Sequence, residues 1–293
     1  MKIVTYNVHY AIGKDNRYDL QRLIDSVQGA DIVALQEVER NFGPPDGPSQ
    51  PEDISELLHD YYWVFDAAFD IDGSEKRPDG GILNRRIEHG QMLLSRWPIL
   101  SKRYFPLPRL AIESEFNMQM GVLEAVIDTP AGALRFYNVH FGSVSSEERQ
   151  QQANFVIKLV QNSPSEGGAW TGSVTAAAER DWSAGVAQPP MPKSAVVLGD
   201  FNMHPESPEY AIIATAIGEH NGPLLTDIWA RKNPGSNVMT WHPNPGRPGD
   251  EQSARLDYCF VTADLIASAG ASWVDESAQG SDHQPLWIDF ETG

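Results

Sequence analysis

Ala195-Val196-Val197-Leu198-Gly199-Asp200-Phe201-Asn202 opens with four apolar residues and ends in a glycine, an acid and an amide. The apolar run predicts a buried strand over Ala195 to Leu198, and the polar tail predicts a sharp turn. The same grammar recurs along the chain. Thr5-Tyr6-Asn7 closes one apolar run with an amide, Ala34-Leu35-Gln36-Glu37 closes another with a carboxylate, and Asn138-Val139-His140 closes a third with an imidazole. Arg255-Leu256-Asp257-Tyr258 opens a late strand, and Ser281-Asp282-His283-Gln284-Pro285 precedes the last one. Taken singly, each has an ordinary structural reading. Asn7 can cap a turn, Glu37 can be a solvated strand-end acid, and Asp200 and Asn202 around a turn are common chemistry. Taken together they put hard oxygen donors and two histidines at strand ends, where side chains of packed sheets converge on one mouth. Such a set suits Mg2+ or Mn2+ and supplies acid–base groups.

Working outward, period-two and buried runs predict strands over Ile3 to Val8, Ile32 to Gln36, Tyr62 to Asp66 and Gln91 to Ser95. Further strands are predicted over Gly121 to Asp128, Leu134 to His140, Leu256 to Val261 and Pro285 to Phe290. Helical spacing marks Leu20 to Gln28, a helix starting at Ile54 to Leu58, Glu147 to Gln161 and Tyr210 to Ala216. Three segments read as loops: Asn41 to Pro51, Asp70 to Gly90, and the long Gly-, Ala-, Ser- and Pro-rich stretch from Ser163 to Lys193, expected to be mobile without ligand. Motifs on both sides of each loop belong to one constellation, so one domain spanning 1–293 is expected. Periodicity alone supports a mixed α/β class.

Composition narrows the function. The net charge of −18 repels a polyanion at long range and argues against a general nuclease, although bound cations or a local basic patch can invert the field near a site. No apolar run is long enough for a transmembrane helix. The N-terminus reads directly as a strand, without a signal-peptide pattern ahead of it. The single cysteine, Cys259, lies in the apolar run Leu256 to Val261 and reads as a core residue, in keeping with a reducing, cytoplasmic setting. A trimmed secreted form fits the same start.

The ordered set Thr5-Tyr6-Asn7, Leu35-Gln36-Glu37-Val38, Asn138-Val139-His140, Gly199-Asp200-Phe201-Asn202, Arg255-Leu256-Asp257-Tyr258 and Ser281-Asp282-His283 resembles the motif series of the endonuclease/exonuclease/phosphatase (deoxyribonuclease I-like) superfamily. The segment from Gly90 to Ile99 resembles another of its stretches, and the start of the chain looks like its compact bacterial hydrolases. The resemblance implies a four-layer α/β sandwich, two mostly antiparallel sheets with helices outside each. It implies a metal-dependent phosphoric ester hydrolase using Mg2+ or Mn2+, with Glu37 as principal metal ligand and Asn7 and Asp282 beside it. It implies catalytic roles for His283, for Asp257 as its orienting acid, for Asp200 and Asn202 at the attacking water and the phosphate, and for His140 at the phosphate.

Four more residues are candidates for substrate contact. His9 leaves the first strand on the same face as Asn7. Arg85 and Arg86 have the shape for a second anionic group, and Trp241 precedes the Arg255 motif. His89 and Gln91 stand where many members of the superfamily carry an asparagine. The expected activity is a phosphodiesterase on a small or lipid-linked ester. The alternatives are a nuclease and, in another class, a silent binding module on the same fold.

Overall fold

The computed structural model describes residues 1–43, 47–174, 180–218, 221–236, 238–243 and 252–291. In chain order the first half comprises β1 (Lys2–Asn7), α1 (Leu20–Val27), β2 (Ile32–Arg40), α2 (Gln50–Leu57), β3 (Tyr62–Asp72), β4 (Glu75–Lys76), β5 (Ile82–Leu83), β6 (Arg86–Ser95), β7 (Ile99–Pro106), β8 (Gly121–Thr129) and β9 (Gly132–His140). The second half comprises α3 (Ser146–Glu166), β10 (Ala195–Asp200), α4 (Pro208–Ala214), β11 (Thr226–Asp227), α5 (Ile228–Lys232), β12 (Asp257–Val261), β13 (Ala269–Val274) and β14 (Leu286–Phe290).

These strands form two six-stranded sheets, ordered β13-β14-β1-β2-β6-β3 and β11-β12-β10-β9-β8-β7, and a separate β4-β5 pair. Each large sheet holds one parallel pair near its middle, β1 with β2 and β9 with β10, among antiparallel neighbours.

Alternation along the strands sorts the side chains into layers. Ile3, Ile32, Ala34 and Leu93 of the first sheet pack between the sheets with Leu123, Phe136, Val196, Leu198 and Cys259 of the second. Val4, Tyr6, Val33, Leu35 and Met92 face the other way, onto Leu23, Ile24 and Val27 of α1 and Ile54 of α2. Tyr137, Val139, Val197, Tyr258 and Phe260 turn outward onto Val156, Leu159 and Val160 of α3 and Ile213 of α4. The result is the expected four-layer sandwich. Burying two sheet faces each gives the continuous apolar runs read in the sequence.

The structure corrects several boundaries. Asp70 to Gly90 is not a loop. β3 and β6 continue as a paired ribbon through Asp70↔Glu88 and Asp72↔Arg86, where no core stands behind them to impose an apolar pattern. The helix placed at Ile54 to Leu58 begins earlier, at Gln50, and ends there. The helix ending at Gln161 runs on to Glu166 despite Pro164. Proline removes the N–H that Val160 would accept, and the buried Arg135 supplies the deficit by donating to the Val160 carbonyl from Nη1 and Nη2, both at 3.2 Å. Of the Ser163 to Lys193 segment, residues 175–179 lie outside the described residues.

Candidate active site

The site is the last row of the inter-sheet core. On β1 the inward positions read Ile3, Thr5, Asn7; on β9 they read Phe136, Asn138, His140; on β10 they read Val196, Leu198, Asp200; on β12 they read Val261, Cys259, Asp257. Each strand passes from apolar to polar toward the same edge. Register aligns the ends, since Asp200 sits opposite both His140 and Asp257, and Asn7 opposite Gln36. Asn7 joins the two sheets by donating from Nδ2 to Glu37 Oε1 at 3.0 Å and to Asp200 Oδ2 at 2.9 Å.

Glu37 reaches this row through a bulge. Pairing of β2 with β6 runs to Leu35↔Met92 and resumes at Val38↔Gly90, leaving Gln36 and Glu37 across from Gln91. Glu37 adopts φ 59°, a left-handed conformation disfavoured for a residue with a Cβ. Plain alternation would turn Glu37 to the helix side with Leu35. The extra residue instead aims it at the mouth and returns Val38 to the helix-side core.

On the second sheet's side, His283 Nδ1 lies 2.8 Å from Asp257 Oδ2, and its Nε2 lies 3.7 Å from Asp200 Oδ2. His140 Nε2 stands 3.5 Å from Asp200 Oδ2 and 3.9 Å from Glu37 Oε1. The Asp200 carboxylate is fixed by the Asn202 amide N–H at 2.8 Å, with Asn202 itself at φ 47° and its side chain donating to the Phe141 carbonyl. Ser281 Oγ ties the final loop to the Asn7 carbonyl at 2.8 Å.

These contacts set the charges. Burial raises the Asp200 carboxyl, and the nearby Asp257 adds to this; His283 and the Asn7 amide oppose it, leaving it pushed up to about 7. Burial pulls the His283 imidazolium down, but Asp257 and Asp200 outweigh it and push it up to about 10. His140 is pulled down to about 4 by burial, helped by His89 and His283 and opposed by Glu37. Burial raises Glu37, yet His140, His89, His9 and the Asn7 amide together hold it below the ordinary carboxylate value. At neutral pH the site therefore pairs a cationic His283 with a neutral His140. With two carboxylates facing its Nε2, His140 is assigned the Nε2–H tautomer.

Two observations bear on a cation. Asp200, Asp257 and His283 offer ligand atoms all within 4.8 Å of one another. Glu37 Oε2 and Asp257 Oδ1 are buried oxygens without a hydrogen-bond partner, and an orphan ionised oxygen is satisfied by a bound divalent ion. The residues present fit a hard or borderline divalent cation.

The other predicted residues divide. His9 joins the site, with Nδ1 3.7 Å from Asp282 Oδ1, and lies in a left-handed turn over His9, Tyr10 and Ala11 at φ 43°, 46° and 62°. Trp241 joins it too, its indole N–H donating to Asp282 Oδ2 at 3.2 Å. Arg85 and Arg86 stand on the β3–β6 ribbon. Arg86 pairs with Asp70 at 2.7 Å, and Arg85 donates to the Asn41 carbonyl at 2.5 Å. Sequence reasoning gave His89 no role at the site; its ring centroid lies 6.4 Å from that of His140. The period-two passage from apolar to polar on each strand carried the signal that groups the site residues. Among the described residues no helix is long and apolar enough to cross a membrane.

A sequence profile described as the Endonuclease/Exonuclease/phosphatase family matches residues 4–283. A comparison with curated protein sequences returns no match. Among solved structures, an endonuclease/exonuclease/phosphatase from Beutenbergia cavernae is similar with TM-score 0.66 and 20% identity, over 100% of this chain and 72% of that one. One from Bacteroides vulgatus gives 0.63 and 20%, over 100% and 98% of the two chains. A 3'-5' exonuclease from Neisseria meningitidis gives 0.61 and 17%, over 100% of both.

Proposed function

The chain belongs to the endonuclease/exonuclease/phosphatase family of phosphoester hydrolases, and from that premise we propose a divalent-cation-dependent phosphodiesterase acting on a small or lipid-linked ester. The carrying observation is the buried line Asp257–His283–Asp200, with 2.8 Å between its first two members and 3.7 Å between its last two.

Glu37 is the principal cation ligand, with Asn7 and Asp282 beside it, and Mg2+ or Mn2+ is the ion its oxygen donors suit. Bound there, such an ion would act as a Lewis acid toward the phosphoryl oxygens. His283, held cationic by Asp257, is placed to stabilise charge developing on the non-bridging oxygens. A group that keeps its proton to about pH 10 does not accept another's near neutrality. Asp200, whose carboxyl burial raises and which lies 3.7 Å from His283 Nε2, is the base we assign to take the proton of the attacking water. The water oxygen bonds to phosphorus as the ester oxygen departs. Asn202 fixes the Asp200 carboxylate through its backbone N–H, and neutral His140 donates from Nε2 to a phosphoryl oxygen. Trp241 holds Asp282 through its indole N–H with the His9 ring beside it, and His9, Trp241 and, on the ribbon, Arg85 and Arg86 are candidate contacts for the substrate.

The net charge of −18 favours a compact or lipid-linked ester over a nucleic acid. The single buried thiol suits a reducing compartment such as the cytoplasm. The test is Mn2+- and Mg2+-dependent turnover of bis-p-nitrophenyl phosphate, p-nitrophenyl phosphate, sphingomyelin-type lipids and single- and double-stranded DNA, with His283→Ala as control. Turnover of small or lipid diesters, lost in His283→Ala, supports the proposal. DNA cleavage lost in the same variant replaces it with a nuclease. No turnover together with no cation binding returns the chain to a silent binding module.

A further inference from the structure

Asn138 belongs to a sequence motif and has no part in the chemistry above. Its side chain is fully buried between the sheets, two residues before His140 on the same inward face. From there it reaches into the opposite sheet. Nδ2 donates to the Leu35 carbonyl at 2.8 Å and to the Met92 carbonyl at 2.9 Å, and Oδ1 accepts from Gln36 Nε2 at 2.7 Å. Leu35 and Met92 are the last registered pair before the bulge that contains Glu37. A bulge disrupts the local ladder, so backbone acceptors beside it look for other donors, and buried acceptors need them. One amide from the facing sheet serves both. Gln36, the other bulged residue, donates from the same Nε2 to Thr5 Oγ1 at 3.1 Å.

We propose that Asn138 is a positioning residue for Glu37: the Thr5–Gln36–Asn138 bridge locks the β2 bulge to the second sheet and so fixes the cation carboxylate relative to His140 and Asp200. Three polar motif residues thereby gain one task. The bridge is the polar row between the apolar core and the site, and His140 rides on the same strand as its anchor. The inference rests on the reading of Glu37 as a cation ligand.

Asn138→Asp keeps the shape and removes the donor, setting a carboxylate against two carbonyls. The milder Asn138→Ser serves if that variant does not fold. Leu134→Ala, in the same inter-sheet core at the other end of β9, controls for general loss of stability. Amide hydrogen exchange in the cation-free protein is expected to quicken at residues 35–38 and 90–92 in the Asn138 variants, but not in Leu134→Ala. Mn2+ titration followed by electron paramagnetic resonance is expected to show affinity weakened roughly 10–100-fold, the range for loss of a group that orients a ligand. Wild-type exchange at the bulge, or an equal loss of Mn2+ affinity in Leu134→Ala, overturns the proposal. If the wild-type protein binds no Mn2+, the role of Glu37 falls and the exchange result alone decides that of Asn138.

Discussion

The Nδ1 atom of His283 lies 2.8 Å from Oδ2 of Asp257, with both side chains buried. Asp257→Asn keeps the volume and removes the charge that holds the imidazolium. We expect kcat on an activated diester to fall by roughly 10²–10⁴-fold, the scale of acid–base and orienting groups, with KM little changed. Steady-state kinetics of the cation-loaded enzyme checks this. An Asp257→Asn variant with wild-type kcat would remove the pair from the mechanism.

The same pair gives a pH dependence to the stability of the cation-free protein. The folded-state value of His283 is pushed from 6.5 up to about 10. A raised value means its stabilising contribution is complete below about pH 6.5 and is lost as pH rises through about 10. The Tm advantage of wild type over His283→Gln should therefore be largest near pH 6 and shrink toward pH 10. An advantage that grows with pH contradicts the assignment.

Glu37 combines a left-handed backbone with a buried, unpartnered oxygen. Glu37→Gly relieves the backbone cost, about 1 kcal/mol for this conformation in a residue with a side chain, and gives up the Asn7 hydrogen bond, so the cation-free variant should change little in stability. It should also lose the thermal upshift that Mn2+ gives wild type, and its turnover. Urea unfolding with and without Mn2+ reads both effects.

Arg135 and Pro164 form a compensating pair around the Val160 carbonyl. Arg135→Met removes the side-chain donor to the buried Val160 carbonyl, a loss of about 1–3 kcal/mol for a buried orphan. Pro164→Ala restores an N–H four residues after Val160. In the double variant it should recover part of the loss, giving a favourable coupling in a double-mutant cycle. Strict additivity would refute the compensation.

Cys259 is fully buried between the sheets, and burial pushes its thiol well above the usual range. Disulfide exchange with an aromatic disulfide reagent should be slow in the native protein and track global unfolding. Rapid stoichiometric labelling of folded protein would show an opening that the packing does not provide.

Much of the site is legible in the sequence. The strand-end motifs placed Asn7, Glu37, His140, Asp200, Asp257 and His283 in one mouth, because alternation and a shared sheet edge are local properties of the chain. The β3–β6 ribbon escaped notice because its polar pairs stand beyond the core, and the last turn of α3 because Pro164 reads as a breaker. The bulge at Gln36 and Glu37 was also hidden. It exists because Gln91 faces two residues, and Asn138 can hold it only once the sheets have met. The Arg86–Asp70 pair was hidden as well, since its two members become adjacent only through strand pairing.

The first strand lies in the middle of its sheet, between β2 and the last strand, with Lys2 paired to Asp289. During synthesis β1 and β2 emerge early and wait with one edge bare until the residues near 290 appear. Asn7 and Glu37 likewise wait for Asp200 and for the loop carrying Asp282 and His283. A partial chain that stops before residue 282 lacks Asp282 and His283, so the constellation of Asn7, Glu37, Asp200 and His283 closes only once the last described strand has joined β1. Contacts this distant in sequence carry a high loop-closure entropy, which slows the joining of the first strand to the last.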